Sequence, residues 1–225
     1  MNVALTFDAE HPDQMVADPV GNAVAILDQL RSSDVQATFF VTGVWAKSYP
    51  CLVARIVEEG HLLGSHGFWH CPFGNLTHEA MRLDLERSRE TLVDVSGVDP
   101  HHWFRLPQGQ GVYDATIRHA VEAEGFHHVH WDSGAEDWRP GIRPLDLTRQ
   151  ILSAVETSQI TSQVVLLHSW PEPTPNVVSS IIASLQGAHT FVRLDELRPE
   201  EVPYWATRSR QDGSDNREMV IKNES

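Results

Sequence analysis

Residues 3–11 read VALTFDAEH, a short apolar run that ends in two acidic residues and a histidine. A run of this length with β-branched and aromatic residues is typical of a buried strand. It predicts a strand over residues 3–7 with Asp8, Glu10 and His11 at its carboxyl end. Similar runs predict further strands over residues 36–41, 61–65, 103–106, 127–132, 164–168 and 190–194.

Segments with apolar residues at helical spacing lie between these strands. Asp18 before Pro19 is typical of a helix start, and Gly125 occupies a position after a helix where a left-handed backbone is tolerated. Helices are predicted over residues 20–30, 50–60, 77–95, 112–124, 145–157 and 174–185. Seven strands that alternate with about six helices indicate an α/β fold with a parallel sheet. An open doubly wound sheet and a barrel both satisfy this alternation.

Length and composition are those of an ordinary globular domain. The 225 residues correspond to between one and two domains, and 41% of them are apolar. We assign residues 1–205 to one domain and residues 206–225, which have no helical or strand period, to a flexible polar tail. The formal net charge of −14 argues against nucleic acid or an anionic membrane surface as the main partner.

The cysteines and the start of the chain bear on the cellular compartment. Cys51 and Cys71 are too few for a disulfide scaffold, so we expect free thiols. The chain begins without a basic and apolar leader, and its longest apolar run covers only residues 23–27. We therefore expect a cytoplasmic protein without a membrane-spanning helix.

Polar side chains follow five of the predicted strands. In parallel α/β folds ligands bind at the carboxyl ends of the strands, because loops from several strands converge there. The residues at this edge are Asp8 and Glu10, His66 and His70, Arg105 with Pro107 and Gln108, Asp137, and His168. Two histidines at H-x3-H spacing with a carboxylate would make an open site for a divalent cation. Each motif alone is weak, since the chain contains 13 histidines and acidic pairs are common in loops.

Taken in order, these motifs resemble those of a known family. They read Thr6-Phe7-Asp8, Ser65-His66-x3-His70, Arg105-x-Pro107-x-Gly109, Asp137-Trp138 and Leu166-Leu167-His168-Ser169. The set is similar to the five motifs of the polysaccharide deacetylases, also called carbohydrate esterase family 4, and it spans about residues 3–194. The resemblance implies a distorted (β/α)7 barrel and metal-dependent hydrolysis of an N-acetyl group, usually on a sugar.

The same resemblance implies the catalytic roles. Asp8 would be the general base that takes a proton from water, and His168 the general acid that protonates the leaving amine. Asp137 would hold the imidazole of His168 in its charged form, and Arg105 would orient Asp8 through a charge-assisted hydrogen bond.

A divalent cation and a substrate are implied as partners. The cation, bound by His66 and His70, would activate water and polarise the acetyl oxygen; we expect zinc, with cobalt, nickel or manganese as alternatives. The backbone N–H of Gln108 would stabilise the oxyanion. The residues expected to contact the substrate are Pro107, Gln108, Trp138 and Trp69.

The sequence departs from the family pattern at the metal site. The first motif of the family usually has two adjacent aspartates, of which the second is a metal ligand, but here that position is Ala9. Glu10 lies one residue further and has one more methylene, so we expect Glu10 to replace the missing ligand. The alternatives are that Asp8 itself coordinates the cation or that the site is water-filled and weak.

Two other departures concern the substrate. Gln108 lies in a motif where the family commonly has a second proline and an aromatic residue, and Gly134 stands where many members have an aspartate. We expect these changes to alter the sugar preference rather than the chemistry.

Three functions are compatible with these residues. The leading hypothesis is removal of the N-acetyl group from an amino sugar or oligosaccharide with release of acetate. The same machinery acting on a non-sugar linear or cyclic amide is the first alternative. A catalytically impaired carbohydrate-binding domain is the second, and the retention of Asp8, Asp137 and His168 argues against it.

Overall fold

The centre of the fold is the strand predicted from residues 3–7. The structure is a computed structural model that describes residues 1–100, 102–134 and 136–204. Its strands are β1 (Asn2–Ala9), β2 (Thr38–Val41), β3 (Leu62–Ser65), β4 (His102–Phe104), β5 (Phe126–His128), β6 (Ser133–Gly134), β7 (Ser162–His168) and β8 (Thr190–Phe191). All residues of β1 after Asn2 are buried, as expected for a parallel strand that is covered on both faces.

The strands form one parallel sheet in the order β5-β4-β3-β2-β1-β7-β6, and the short β8 pairs with the start of β1. A flat sheet would hold β4 roughly 14 Å from β1, too far for an arginine side chain to bridge. Arg105, which follows β4, nevertheless donates to Thr6 on β1 at 2.9 Å. The sheet is therefore strongly curled. Its two end strands, β5 and β6, are not paired with each other. This incomplete barrel confirms the expected distorted barrel fold.

In the described ranges, seven α-helices connect the strands. They are α1 (Pro19–Ser32), α2 (Gly43–Ser48), α3 (Pro50–Glu58), α4 (His78–Ser96), α5 (Ala115–Ala123), α6 (Pro144–Thr157) and α7 (Thr174–Leu185). The predicted start of α1 is confirmed, because the Asp18 side chain accepts a hydrogen bond from the backbone N–H of Gly21. Gly125 has a φ of +78°, the left-handed backbone expected after α5. Every helix in the described ranges is too short or too polar to cross a membrane.

The structure differs from the predicted elements at several places. The strand predicted over 127–132 ends at His128, because the backbone N–H groups of His130 and Asp132 bond to Pro203 and Val164 instead of continuing the ladder with β4. The helix predicted from residue 112 begins at Ala115, where Asp114 caps it. The short helix α2, capped by Thr42, has no counterpart among the predicted helices.

Side chains of β1 alternate between two layers. Val3, Leu5 and Phe7 pack outward against the buried faces of α1, α3, α6 and α7. Ala4 faces the inside of the curled sheet, where it packs with Phe40 and other apolar residues near one end. Because side chains on a strand alternate with a period of two, Thr6 and Asp8 face the same interior nearer the carboxyl end. The predicted polar tail, residues 206–225, lies outside the described residues.

Candidate active site

The carboxyl ends of the strands bring the predicted polar residues together. Asp8 on β1 and His168 on β7 are register partners in adjacent parallel strands. His66 and His70 follow β3, and Arg105 follows β4. All five side chains face the same end of the curled sheet, and the contacts described below join them into one site.

Glu10, His66 and His70 form a compact group of ligand atoms. Each contributes one atom, and the three atoms lie within 4.8 Å of one another. Oε2 of Glu10 is 2.6 Å from Nε2 of His70 and 3.2 Å from Nε2 of His66. Glu10 and His66 are buried, and His70 is partly buried. The arrangement supports Glu10 as the carboxylate ligand that Ala9 does not supply.

The protonation of His66 fits a cation in this group. Its Nδ1 lies 2.9 Å from the backbone oxygen of Arg105, which can only accept, so Nδ1 carries the proton. Nε2 is then the ring nitrogen that faces the carboxylate of Glu10, at 3.2 Å from Oε2. Oε2 of Glu10 is buried and has no well-oriented hydrogen-bond donor. A buried carboxylate oxygen and an imidazole nitrogen that face each other are a donor set that suits a divalent cation.

The electrostatics of the group favour an ionised Glu10. Burial alone would raise the pKa of Glu10, but the imidazoles of His66 and His70 and the charge of His168 hold it well below its usual range. Burial likewise opposes the charge on His70, yet the adjacent Glu10 raises the pKa of His70 above its usual value. A cation bound here would displace the proton from His70.

Asp8 lies beside this group and is paired with Arg105. Its Oδ1 accepts a 2.9 Å hydrogen bond from Nη1 of Arg105, and its Oδ2 is 3.4 Å from Nε2 of His66. Arg105 is fully buried and its guanidinium stacks over the ring of Phe40 at 4.1 Å. The same Nη1 donates to Oγ1 of Thr6, which in turn donates to the backbone of β7. One oxygen of Asp8 is thus held by the guanidinium of Arg105, while the other faces His66.

His168 is oriented by Asp137 on the opposite side of the site. Nδ1 of His168 donates to Oδ1 of Asp137 at 2.7 Å, and the backbone N–H of His168 donates to Oδ2 at 2.8 Å. Thr174 donates its hydroxyl to the same Oδ2 at 2.7 Å. Burial would lower the pKa of His168, but the charge of Asp137 and its hydrogen bond raise it to about 9. Nε2 is the ring nitrogen that faces the Glu10 carboxylate, at 4.0 Å from Oε1.

The loop that carries the two histidines is fastened to α4. Asp84 accepts hydrogen bonds from the backbone N–H groups of Phe68 at 2.7 Å and of Trp69 at 3.2 Å. Ser88, one turn later on α4, donates to the backbone oxygen of Gly67. Gly67 has a φ of +75°, and a Cβ there would lie 2.7 Å from Oδ1 of Asp84. The loop therefore needs glycine at this position.

The predicted substrate residues differ in exposure. Trp69 and Trp138 remain 56% and 45% exposed, and the guanidinium of Arg87 lies over the ring of Trp69 at 5.1 Å. Pro107 is buried, whereas Gln108 is exposed and has a left-handed backbone with a φ of 58°. Trp69 precedes His70 and Trp138 follows Asp137 in the chain, and the contact of these two tryptophans with a substrate stays a prediction.

Four residues of the site were missed by the sequence analysis as contributors. Thr6 contacts Arg105, Asp84 holds the histidine loop and Thr174 contacts Asp137. Trp170 donates from its indole to Glu10. The sequence could have indicated Asp84, because helical spacing puts this carboxylate on the same face of α4 as the buried residues Met81, Leu85 and Ser88. The other three lie in apolar or loop segments, where a single hydroxyl or indole forms no sequence pattern that would indicate a role in the site.

Comparison with known proteins shows similarity over most of the chain. Residues 1–129 match the polysaccharide deacetylase family. A peptidoglycan-N-acetylglucosamine deacetylase from Bacillus cereus is 31% identical over 169 residues, which are 75% of this chain but only 56% of that protein.

Two solved structures are similar in fold and sequence. One, described as T48 deacetylase with substrate, has a TM-score of 0.72 at 29% identity and covers 86% of this chain and 88% of its own. The other is a family 4 acetyl xylan esterase from Clostridium thermocellum in complex with a cobalt ion. It has a TM-score of 0.72 at 27% identity and covers 87% of this chain and 89% of its own.

Proposed function

Because this chain belongs to the polysaccharide deacetylase family, we propose that it is a metal-dependent hydrolase that removes the N-acetyl group from an amino sugar or oligosaccharide and releases acetate. One observation carries this proposal. A buried carboxylate, Asp8, and a histidine with a raised pKa, His168, flank one group of metal-ligand atoms from two adjacent strands. Hydrolysis of an amide needs a base and an acid at these two places.

The cation would be held by Glu10, His66 and His70. When bound, a divalent ion of this kind lowers the pKa of water and polarises a carbonyl oxygen. Two imidazoles and one carboxylate suit zinc, and they also accept cobalt, nickel or manganese. The acetyl xylan esterase with a cobalt ion is a relative with a metal of this set. The three ligands leave positions open for water and substrate.

Asp8 acts as the general base in this mechanism. Its Oδ1 is held by Arg105, so Oδ2 is the oxygen that faces the metal ligands and takes a proton from the attacking water. The water oxygen forms a bond to the acetyl carbon at the same time. The backbone N–H of Gln108 would stabilise the resulting oxyanion, and a cation held by Glu10, His66 and His70 would supply positive charge beside it.

His168 completes the reaction as the general acid. Asp137 occupies Nδ1, so the proton on Nε2 is the one that points into the site. As the C–N bond breaks, the amine nitrogen takes this proton and the acetyl group leaves as acetate. The second proton of the attacking water leaves with the acetyl group, which ionises to acetate in solution. Asp8 then releases its proton to solvent and His168 takes one up, so both groups return to their starting forms before the next turnover.

The sugar ring would be held at the mouth of the site. Trp69 and Trp138 are partly exposed, and indole rings pack well against the apolar faces of sugar rings. Gln108 is exposed and would contact the sugar, whereas Pro107 is buried and would act only through the loop that carries Gln108. The similarity to a peptidoglycan-N-acetylglucosamine deacetylase supports an N-acetylated amino sugar as the substrate class.

The proposal is tested by acetate release from oligomers of N-acetylglucosamine. The enzyme is assayed after loading with zinc or cobalt, after treatment with a chelator, and as the Asp8→Asn variant. We expect acetate that depends on both the metal and Asp8. Turnover of a non-sugar amide without acetate from the oligomers would favour the first alternative, and a metal-bound protein that hydrolyses neither would favour a binding domain.

A further inference from the structure

Trp170 contacts the carboxylate that we propose as a metal ligand. It follows His168 and Ser169 at the end of β7 and is only 4% exposed. Its indole Nε1 donates a hydrogen bond of 3.3 Å to Oε1 of Glu10. The other oxygen of Glu10, Oε2, faces His66 and His70. The two oxygens of one carboxylate therefore have different partners.

Trp170 is itself held in place. The side chain of Asn22 on α1 donates to the backbone oxygen of Trp170 at 2.9 Å. The backbone N–H of the preceding Ser169 donates to the backbone oxygen of Asp8 at 3.0 Å. The indole is thus fixed relative to β1, which carries Glu10 just beyond its end.

A glutamate ligand needs such a partner more than an aspartate does. Glu10 has one more rotatable bond than the aspartate that the family usually places at Ala9, and each free rotor adds conformational entropy that binding must overcome. Oε1 also lies 4.0 Å from Nε2 of His168, so a rotation of the carboxylate would bring it onto the acid. An indole N–H is a donor only, so it can hold Oε1 without competing for the cation.

We propose that Trp170 is a positioning residue that holds Oε1 of Glu10 and thereby presents Oε2 alone to the cation. Glu10 then binds through one oxygen, and the second oxygen does not occupy a coordination position needed by water and substrate. This inference rests on the metal site of the proposed function. Residues that orient a metal ligand by hydrogen bonding typically change metal affinity or activity by about 10–100-fold when they are removed.

The test compares Trp170→Phe with Trp45→Phe in cobalt binding. Phenylalanine keeps an aromatic ring but removes the N–H and part of the ring volume. Trp45 has the same 4% exposure and packs in the main core, so Trp45→Phe controls for the lost volume. Cobalt affinity is measured by calorimetry, and the coordination of the ion by its visible absorption bands. We expect Trp170→Phe to weaken binding by about 10–100-fold and to change the absorption spectrum, and Trp45→Phe to do neither.

A double-mutant cycle with Glu10→Asp separates positioning from packing. An aspartate at position 10 is too short to reach both the indole and the histidines, so Trp170→Phe should cost less than about threefold in that background. An equal loss in both backgrounds would show that Trp170 acts through packing and would overturn the inference. If Trp170→Phe does not fold in a urea titration, Asn22→Ala decides instead, with a smaller loss of affinity expected and an unchanged affinity contradicting the inference.

The outcome for the unmodified protein distinguishes the two proposals. Absence of cobalt binding by the unmodified protein would overturn the proposed metal site and this inference with it. Tight binding by the unmodified protein together with unchanged affinity and spectrum in Trp170→Phe would overturn only the role of Trp170.

Discussion

Asp8 on β1 and His168 on β7 are register partners in adjacent parallel strands, so the two side chains leave the same face of the sheet at the same level. Side chains on a strand alternate between faces, and a slip of one residue in this register would turn one of the two away from the site. The pairing continues through the register of Thr6 with Leu166 and of Ala4 with Val164. The proposed base and acid are therefore placed by the longest ladder of the sheet.

Glu10 rather than Asp8 should determine metal binding. Oε2 of Glu10 is the carboxylate oxygen nearest both histidines, whereas Oδ1 of Asp8 is bonded to Arg105. We expect Glu10→Ala to lower cobalt affinity by more than about 100-fold and Asp8→Asn by less than about tenfold, since only the first removes a ligand. Calorimetry and elemental analysis of the purified variants measure this directly. Loss of the metal in Asp8→Asn with retention in Glu10→Ala would mean that Asp8 is the ligand.

The rate of deacetylation should fall at alkaline pH as His168 loses its proton. Burial lowers the pKa of His168, but Asp137 outweighs it and raises the pKa to about 9, so the acid form persists through neutral pH. Asp137→Asn removes the charge that favours the imidazolium, and we expect the alkaline limb of kcat against pH to move down by at least about one unit. For a shift of one unit, the activity of that variant should be about twofold lower than that of the unmodified protein near pH 8 and about tenfold lower near pH 10, beyond any loss that is independent of pH.

Thr174→Val is the matched control for this pH profile. It removes one hydrogen bond to Oδ2 of Asp137 but leaves the carboxylate charge in place. The alkaline limb should therefore stay close to its original position. A profile that moves equally in both variants would contradict the view that the charge of Asp137 sets the protonation of His168.

Asp84 should be needed for the shape of the histidine loop. Asp84→Ala leaves the backbone N–H groups of Phe68 and Trp69 without their acceptor, at a cost of about 1–3 kcal/mol in the free energy of unfolding. We also expect cobalt affinity to fall by about tenfold, because the loop between His66 and His70 loses its anchor. Urea denaturation and calorimetry measure the two effects. Asp94→Asn, at an exposed position of the same helix, is the control and should change neither.

The fold should lose stability in mild acid through His61. Its Nδ1 accepts a hydrogen bond from the backbone N–H of Ala37 at 3.1 Å, and burial lowers the pKa of His61 to about 4. In the unfolded chain His61 binds a proton near pH 6.5, whereas in the folded chain it stays neutral until about pH 4. The contribution of neutral His61 to the free energy of unfolding is therefore lost as pH falls from about 6.5 to about 4. Near pH 5 the loss should be about 2 kcal/mol relative to neutral pH.

An asparagine variant isolates this contribution. Asn at position 61 can accept the same hydrogen bond through its side-chain oxygen and does not titrate. The free energy of unfolding of His61→Asn, measured in urea near neutral pH and near pH 5, should therefore decline less than that of the unmodified protein. His119→Asn, which changes an exposed histidine on α5, should leave the decline as it was. A variant at position 61 with an unaltered pH dependence would refute the assignment.

The positions of most strands and helices follow from local patterns in the sequence. The helix predicted over 174–185 is α7 to the residue, and the strands predicted over 3–7 and 164–168 lie within β1 and β7, which form the longest ladder of the sheet. The strand predicted over 127–132 is wrong beyond His128, because the backbone N–H groups of His130 and Asp132 bond to Pro203 and Val164, which are distant in the chain. Propensity and periodicity report local preference, and they carry no information about such distant partners.

Motif order and residue chemistry, which are properties of the sequence alone, determined the family, the parallel α/β class and the set of candidate catalytic residues. Only the tertiary structure decided which atoms meet. In the folded chain Oε2 of Glu10 lies close to both His66 and His70, and Oδ1 of Asp8 accepts a hydrogen bond from Arg105. The indole of Trp170 donates to the other oxygen of Glu10. The reason is physical: these contacts join residues up to 160 positions apart. Their distances depend on the curl and register of the sheet, which no local stretch of the chain specifies.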